Sequence, residues 1–477
     1  MPEAKTPTSF GAPEISRRYF ISEVEVEGLY GRYNYRISPL SEEDAQKGAP
    51  PLMLIYGDNG CGKTTVLRLL WHLLSPADFK GHRSALAQIP FNRLRVRLGR
   101  GDTIDVQKKE NIIGSYSVIV KRPGQSSIEQ EYLYDEVHQA VIGNDFRSAA
   151  RESMRRILGS NYRIYASSKQ DFIDNANQID EDAFTPYLQA LKTRPFFLAD
   201  DRRIHVDAEQ PSGRSRHSGF TEDDKSEEKI SSVAEELQTV IQRANEWLRQ
   251  QLLSGTQRGS YGADTIYRQV LSHLAVSDAE STRTVDDLLS DLQQLGDRSA
   301  RFSELGLAPR VSTDDFARLL DQIKENSRRE AALSILAPYI EGQKARFDSL
   351  QPVEELIRTF IENVNRYLRD KRIHFTPAKG LRIRSQHGDL LTPAQLSSGE
   401  RQLVLLLTNC LVARESASLF LIDEPELSLN VKWQRELIKS LLECVRGANV
   451  QFILATHSIE MVTRNRSYLA QLVGEHG

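Results

Sequence analysis

Eight consecutive residues constrain the fold of this chain more than any others. Gly57-Asp58-Asn59-Gly60-Cys61-Gly62-Lys63-Thr64 matches the phosphate-binding pattern G-x-x-x-x-G-K-[ST]. A short apolar run over residues 52–56 leads into it. Residues 63–74 follow, with Val66, Leu69, Leu70 and Leu73 at helical spacing. Strand, glycine turn, helix is the context the pattern needs. Glycines let the backbone fold closely around an anion, and successive amides and the helix N-terminus point at it. Lys63 is placed to neutralise β- and γ-phosphate charge, and the Thr64 hydroxyl to ligate Mg2+. Gly57, Asn59, Gly60, Cys61, Gly62, Lys63, Thr64 and Thr65 are the candidate nucleotide contacts. Cys61 reads as a small filler whose amide does the binding rather than as a redox-sensitive thiol.

Three further motifs carry chemistry. In Leu419-Phe420-Leu421-Ile422-Asp423-Glu424, four apolar residues run into two carboxylates. That is how a buried strand delivers acids to its carboxyl-end edge, where α/β sheets bind ligands. Asp423 is the candidate Mg2+ ligand, and Glu424 the candidate for orienting or deprotonating an attacking water. Leu396-Ser397-Ser398-Gly399-Glu400 opens the helix containing the apolar run 403–407, with Ser397 26 residues before Asp423. Ser397 and Glu400 have capping-box spacing, and a capped helix N-terminus with a serine and a glycine also binds a γ-phosphate well. His457 follows the apolar run 452–455, 34 residues after Asp423. A lone histidine there reads as a structural hydrogen-bonder; its place in this series makes it a catalytic candidate.

Phosphate loop, Leu-Ser-Ser-Gly-Glu, Ile-Asp-Glu-Pro and Ala-Thr-His-Ser, in that order, resemble the ABC-type ATPase superfamily. The segment Asp-Glu-Pro-Glu-Leu-Ser-Leu-Asn at 423–430, followed by Trp433, is similar to its soluble RecF, SMC and OLD-like branch. The resemblance covers residues 52–65 and 390–460. It implies an α/β fold, an ABC-type head of mixed sheet plus antiparallel β subdomain, and a head-to-tail homodimer with ATP and Mg2+ in composite sites. Ser397 and Gly399 of one copy would close over the phosphate loop of the other. Glu424 would be the catalytic carboxylate, His457 the switch that senses γ-phosphate, and residues 428–430 a loop crossing the interface. Ser398 and Glu400 stand where transporters commonly have Gly and Gln, and Asn430 where many relatives have His. No glutamine marks the glutamine loop; Asp200 and Asp201 end the strand where it is expected.

The rest of the chain fits around these motifs. Residues 19–38 alternate as a hairpin, and 93–122 as an antiparallel meander. Residues 210–229 are rich in Ser, Arg, Asp and Glu and read as a mobile loop. From 228 to about 370 the pattern is helical, with breaks near Gly255, Gly306 and Pro352 and no helix long enough for a coiled-coil arm. The expected division is 1–200 and 371–477 as halves of one head, split by 201–370.

Among 477 residues there are three cysteines (Cys61, Cys410, Cys444), too few for a disulfide framework or a zinc cluster. Residues 1–13 are polar, with no leader-like apolar core, and read as a disordered tail. No run approaches membrane-spanning length. These features read as a cytoplasmic, reduced protein without membrane contact. Net charge of −3 gives no global field for nucleic acid. Two local clusters (Arg93, Arg95, Arg97, Arg100 and Arg151, Arg155, Arg156) leave DNA contact open, although a strand face balanced by acids is the favoured reading of the first.

What the ATPase serves follows from the branch it resembles. Small OLD-like ATPases with short helical insertions resemble ATPase subunits of prokaryotic anti-phage systems, of the PARIS, Septu and retron-associated groups. The 20 residues after His457 leave no room for a Toprim nuclease. A sensor or regulator working with a separate effector, such as a Toprim or HNH nuclease, is the expectation. A RecF-type repair or chromosome-maintenance ATPase that binds DNA is the alternative. A transporter ATPase is disfavoured by the insertion and by Glu400.

Overall fold

The computed structural model describes residues 20–39, 51–77, 81–109, 111–135, 140–142, 182–199, 204–206, 233–257, 285–323, 325–415 and 418–476. The tail at 1–13, the loop at 210–229, Asp200, Asp201 and the Arg151, Arg155, Arg156 cluster lie outside them. The chain forms two compact units, one of Met1–Gly219 with Ala413–Gly477, the other of Phe220–Val412.

The first unit is built on two sheets. A five-stranded sheet runs in the order Ile204–Val206, Arg194–Leu198, Ser418–Asp423, Val450–Thr456, Leu52–Tyr56; all neighbours are parallel except the edge strand Ile204–Val206. Such strands are buried on both faces, and their near-continuous apolar sequence reflects it. Alternation divides the faces. Phe196, Phe420 and Phe452 stand in register on one side, with ring centroids 4.7 and 5.2 Å apart. Phe197, Leu421, Ile453 and Met53 face the other way, into one core with Val66, Leu69, Leu70 and Leu73 of the helix Lys63–Leu74. The phosphate-loop helix thus packs on the sheet whose edge it serves.

The second sheet is antiparallel and eight-stranded. It contains the expected hairpin, Ile21–Leu29 and Tyr33–Pro39, and the meander Arg93–Leu98, Thr103–Lys108, Tyr116–Lys121, which extends to Ile128–Asp135 and Ala140–Ile142. Ala470–His476 closes its other edge against Tyr33–Pro39. The buried Gln451 amide ties the sheets together, accepting from Ile21 N (2.8 Å) and donating to Ile21 O (3.0 Å). On the polar face of this sheet the three strand arginines each meet a carboxylate, Arg93 with Asp105, Arg95 with Glu25 (2.8 Å) and Arg97 with Glu23 (2.7 Å), and Arg100 in the following turn pairs with Asp102. Glu25 and Asp105 lie opposite Arg95 in the strand register, so the pairs form a cross-strand ladder. The alternating arginines are therefore a balanced strand face, as the sequence favours.

In the second unit, helices 233–257, Val285–Glu304, Thr313–Gln322 and Asn326–Asn365 pack around small apolar clusters. Two expectations are corrected here. Asn326–Asn365 is a single 40-residue helix that runs through Pro338 and Pro352, about 60 Å at 1.5 Å per residue. The expected break at Pro352 is absent, because packing of Ile340, Phe347, Leu350 and Ile357 sustains the helix where one missing amide would otherwise weaken it. Gly255 likewise lies within a helix, where a β-carbon would come within 3.0 Å of Leu350 and 3.3 Å of the Ser349 carbonyl.

The expected boundary at 370 also moves. The hairpin Lys371–Thr376 and Gly380–Ser385 belongs with the helices. Asn365 accepts from Ile373 N (2.7 Å) and donates to its carbonyl, and Asn245 accepts from Leu381 N (2.6 Å). Helix Ser398–Val412 is in the same unit, so the chain passes back to the first unit at Ala413. No helix among the described residues is long and apolar enough to cross a membrane.

Candidate nucleotide site

Three neighbouring parallel strands place the predicted chemistry of the first unit on one edge. Leu52–Tyr56 ends at the glycine loop, Val450–Thr456 at His457, and Ser418–Asp423 at Asp423 and Glu424. Asp423 lies beside Ala455, and Ala455 beside Ile55. Two strand spacings, about 10 Å, therefore separate the acid from the start of the loop.

The loop is preformed. Gly60 and Gly62 have φ of 84° and 85°, a left-handed conformation that glycine adopts without steric cost. A β-carbon on Gly62 would also come within 2.8 Å of Leu29. The Lys63 ammonium, on a largely buried side chain, donates to the carbonyls of Gly57 (2.7 Å) and Asp58 (2.9 Å). This holds it across the mouth of the loop. Cys61 Sγ packs where a β-carbon on Gly57 would sit, 3.0 Å away. Two tyrosines of the hairpin brace the loop from outside: Tyr35 donates to the Cys61 carbonyl (2.7 Å), and the Tyr30 hydroxyl meets Thr65 Oγ1 at 2.7 Å. Burial is the main cause that pushes the Tyr35 phenol up to about 12, so it stays a donor. Neither tyrosine stands out in the sequence, because Tyr35 fits the strand alternation and Tyr30 falls in the hairpin turn.

Asp423 is 1% exposed at the end of its strand. Glu424 follows with φ of 48°, a costly conformation for a side-chain-bearing residue. Its amide donates to Ala455 O (2.9 Å), which fixes the turn against the next strand. His457 Nδ1 is hydrogen-bonded to Glu424 Oε2. Burial pushes the Glu424 carboxyl up to about 7; neighbouring Glu426 adds to the rise and His457 opposes it. A group poised near neutral is suited to proton transfer.

Glu426 is the residue that sequence reasoning passed over. It is 4% exposed, and its Oε1 accepts from the Thr456 hydroxyl, the His457 amide (3.0 Å) and the Ser458 amide (3.1 Å). Gln434 makes a second tie: its amide donates to Leu429 O (2.9 Å) and accepts from Ser458 Oγ (2.8 Å). The loop at 428–430 is thereby joined to the histidine turn. Ser428 is also left-handed, with φ of 65°. Asn430 caps helix Val431–Cys444 by accepting from Trp433 N at 3.0 Å. Asn430→Ala is expected to lower the unfolding free energy by about 1 kcal/mol, read as a lower denaturant midpoint at unchanged m-value.

Ser397 and Gly399 belong to the second unit, apart from this constellation in the chain's division. The capping box is present: Ser397 N donates to Glu400 Oε2 (2.8 Å), and Glu400 N to Ser397 Oγ (3.3 Å). Lys371 also bonds Glu400 Oε2 at 2.8 Å. Burial opposes ionisation of Glu400, but Lys371 and the Ser397 contacts hold its pKa below the usual range. Ser397 and Ser398 remain exposed beside the buried Gly399. The strand Arg194–Leu198 lies next to the acid-bearing strand, where a glutamine loop would follow it; residues 200–203 are outside the described set.

A family model described as "AAA ATPase domain" matches residues 20–462. The "Retron Vc95 probable ATPase" of Vibrio cholerae serotype O1 biovar El Tor is 23% identical over 206 residues, 40% of this chain and 37% of that protein. The "Lipoprotein-releasing system ATP-binding protein LolD" of Ruegeria pomeroyi is 35% identical over 72 residues, 15% of this chain and 30% of that protein. The chain thus spans 37% and 30% of the two relatives' lengths. Among solved structures, the SMC head domain with an extended coiled coil from Pyrococcus furiosus aligns over 96% of both chains at 13% identity, with a TM-score of 0.33.

Proposed function

The chain belongs to the AAA ATPase domain family; we propose that it hydrolyses ATP, that two copies close head to tail on the nucleotide, and that this closure governs a separate effector protein. The observation that carries the site assignment is the shared edge, where adjacent parallel strands deliver the Lys63 loop, Asp423 with Glu424, and His457. Residues 57–65 cradle the phosphates. Glu424 takes a proton from, or orients, the attacking water, and His457, hydrogen-bonded to that carboxylate, would sense the γ-phosphate.

The Thr64 hydroxyl and the buried Asp423 carboxylate are hard oxygen donors of the kind Mg2+ prefers. They would hold the ion, which when bound neutralises charge on the β- and γ-oxygens. Ser397, Gly399 and the capped helix N-terminus of the second copy supply amides and a hydroxyl to the γ-phosphate. Support comes from the exposure of Ser397 at a helix start that needs no partner of its own to be capped.

The regulatory part of the reading rests on the motif resemblance and on the retron ATPase relative. On this reading the chain acts in anti-phage defence, with a nuclease among the candidate effectors. Two measurements test it. Glu424→Gln is expected to run as a monomer in light scattering without nucleotide and as a dimer with ATP-Mg2+; a monomer in both conditions overturns composite closure. Capture from the native host, with and without ATP, should bring down an effector whose nuclease activity can be assayed. A chain that returns alone in both states removes the effector.

A further inference from the structure

His457 has little of its own to hold it. Its side chain is half exposed, and its ring partners among the described residues are Glu424 and Glu426. Glu424 is placed independently by its own strand and by its amide bond to Ala455. The position of the imidazole relative to Glu424 therefore depends on what fixes the turn 456–458.

Glu426 fixes it. One carboxylate oxygen gathers three donors: the Thr456 hydroxyl and the amides of His457 and Ser458. Thr456 and Ser458 flank the histidine, so the turn is clamped on both sides of the residue that must be aimed. The second oxygen of Glu426 is buried, with no hydrogen-bond partner among the described residues. A buried carboxylate left half satisfied costs stability. The Leu427 and Leu429 amides bond to Glu424 and Glu426 carbonyls, keeping the pinning residue on the same short turn as the catalytic carboxylate.

We infer that Glu426 is a positioning residue for ATP hydrolysis, holding the histidine turn so that the His457 imidazole meets Glu424. The inference rests on the proposed roles of Glu424 and His457. It makes reach, rather than charge, the property that matters. Glu426→Gln keeps the chain length and one acceptor oxygen for the three donors. Glu426→Asp keeps the charge but is one methylene too short to gather them.

The test is steady-state ATPase kinetics on the full chain, with thermal melting and ATP binding measured alongside. Glu426→Asp and Glu426→Ala are expected to lose about 10²-fold in kcat, the order set by a small misplacement of a catalytic group, with KM for ATP little changed. Glu426→Gln is expected to stay within a few-fold of the parent. If the alanine variant does not fold, the Asp and Gln variants still decide the matter. Because Glu426 acts through His457, the double variant Glu426→Asp/His457→Ala should be no slower than His457→Ala alone. Losses that add, or a Gln variant slower than the Asp variant, overturn the positioning role while leaving the site assignment intact. Normal turnover by His457→Ala alone overturns the assigned role of the histidine, and this inference with it.

Discussion

Glu424→Gln binds ATP and hydrolyses it about 10²–10⁴-fold more slowly than the parent, the range for loss of a positioned general base. The argument is one of shape and charge together. Glutamine fills the same space and can keep a hydrogen bond to His457 Nδ1, so the turn with its left-handed φ of 48° has no reason to relax. What it cannot do is accept a proton from water. KM, or the Kd for ATP measured directly, should stay near the parent value, because the phosphate contacts come from the separate Lys63 loop. A loss in kcat at constant affinity marks an interaction made in the transition state. The slow variant should also accumulate the ATP-bound dimer, since closure no longer ends in hydrolysis. Parent-like turnover would sink the assignment of Glu424, whatever the geometry.

The parts of the fold that were legible in the sequence are those fixed by local pattern. The strand Leu52–Tyr56 and helix Lys63–Leu74 have the expected ends because the glycines between them allow the left-handed turn that stops one and starts the other. The capping box at Ser397 and Glu400 follows from a spacing of three residues. What could not be read depends on partners distant in sequence. Glu426 earns its place through donors some 30 residues on, and an acid just past a strand ordinarily signals only a surface turn. Lys371 looks like one more surface lysine until Glu400 lies 2.8 Å away. The helix Asn326–Asn365 defies its two prolines because tertiary packing outweighs local propensity. The arginine ladder shows the converse: alternation revealed the shared face, but the carboxylates that balance it come from neighbouring strands.

Lys63→Ala is expected to abolish measurable ATP binding. The ammonium now bonded to two loop carbonyls is the charge that would face the β- and γ-phosphates, and without it the cradle is left with amides alone. The variant also reports on how the site is shared. Ser397→Arg should leave the phosphate loop untouched, since Ser397 belongs to the other compact unit, yet block closure over the nucleotide. Each variant alone is then inactive as a homodimer. In a mixed dimer of the two, one composite site carries both lesions and the other carries neither. An equimolar mixture, allowed to exchange subunits, should recover ATPase activity that neither variant has alone, at most about half the parent value per dimer, because each mixed dimer has one intact site of two. A site completed within a single chain predicts no recovery at any ratio, since every copy then carries a lesion in its own site. Activity that returns on mixing, and scales with the fraction of mixed dimer, assigns the exposed serine of one copy to the phosphate loop of its partner.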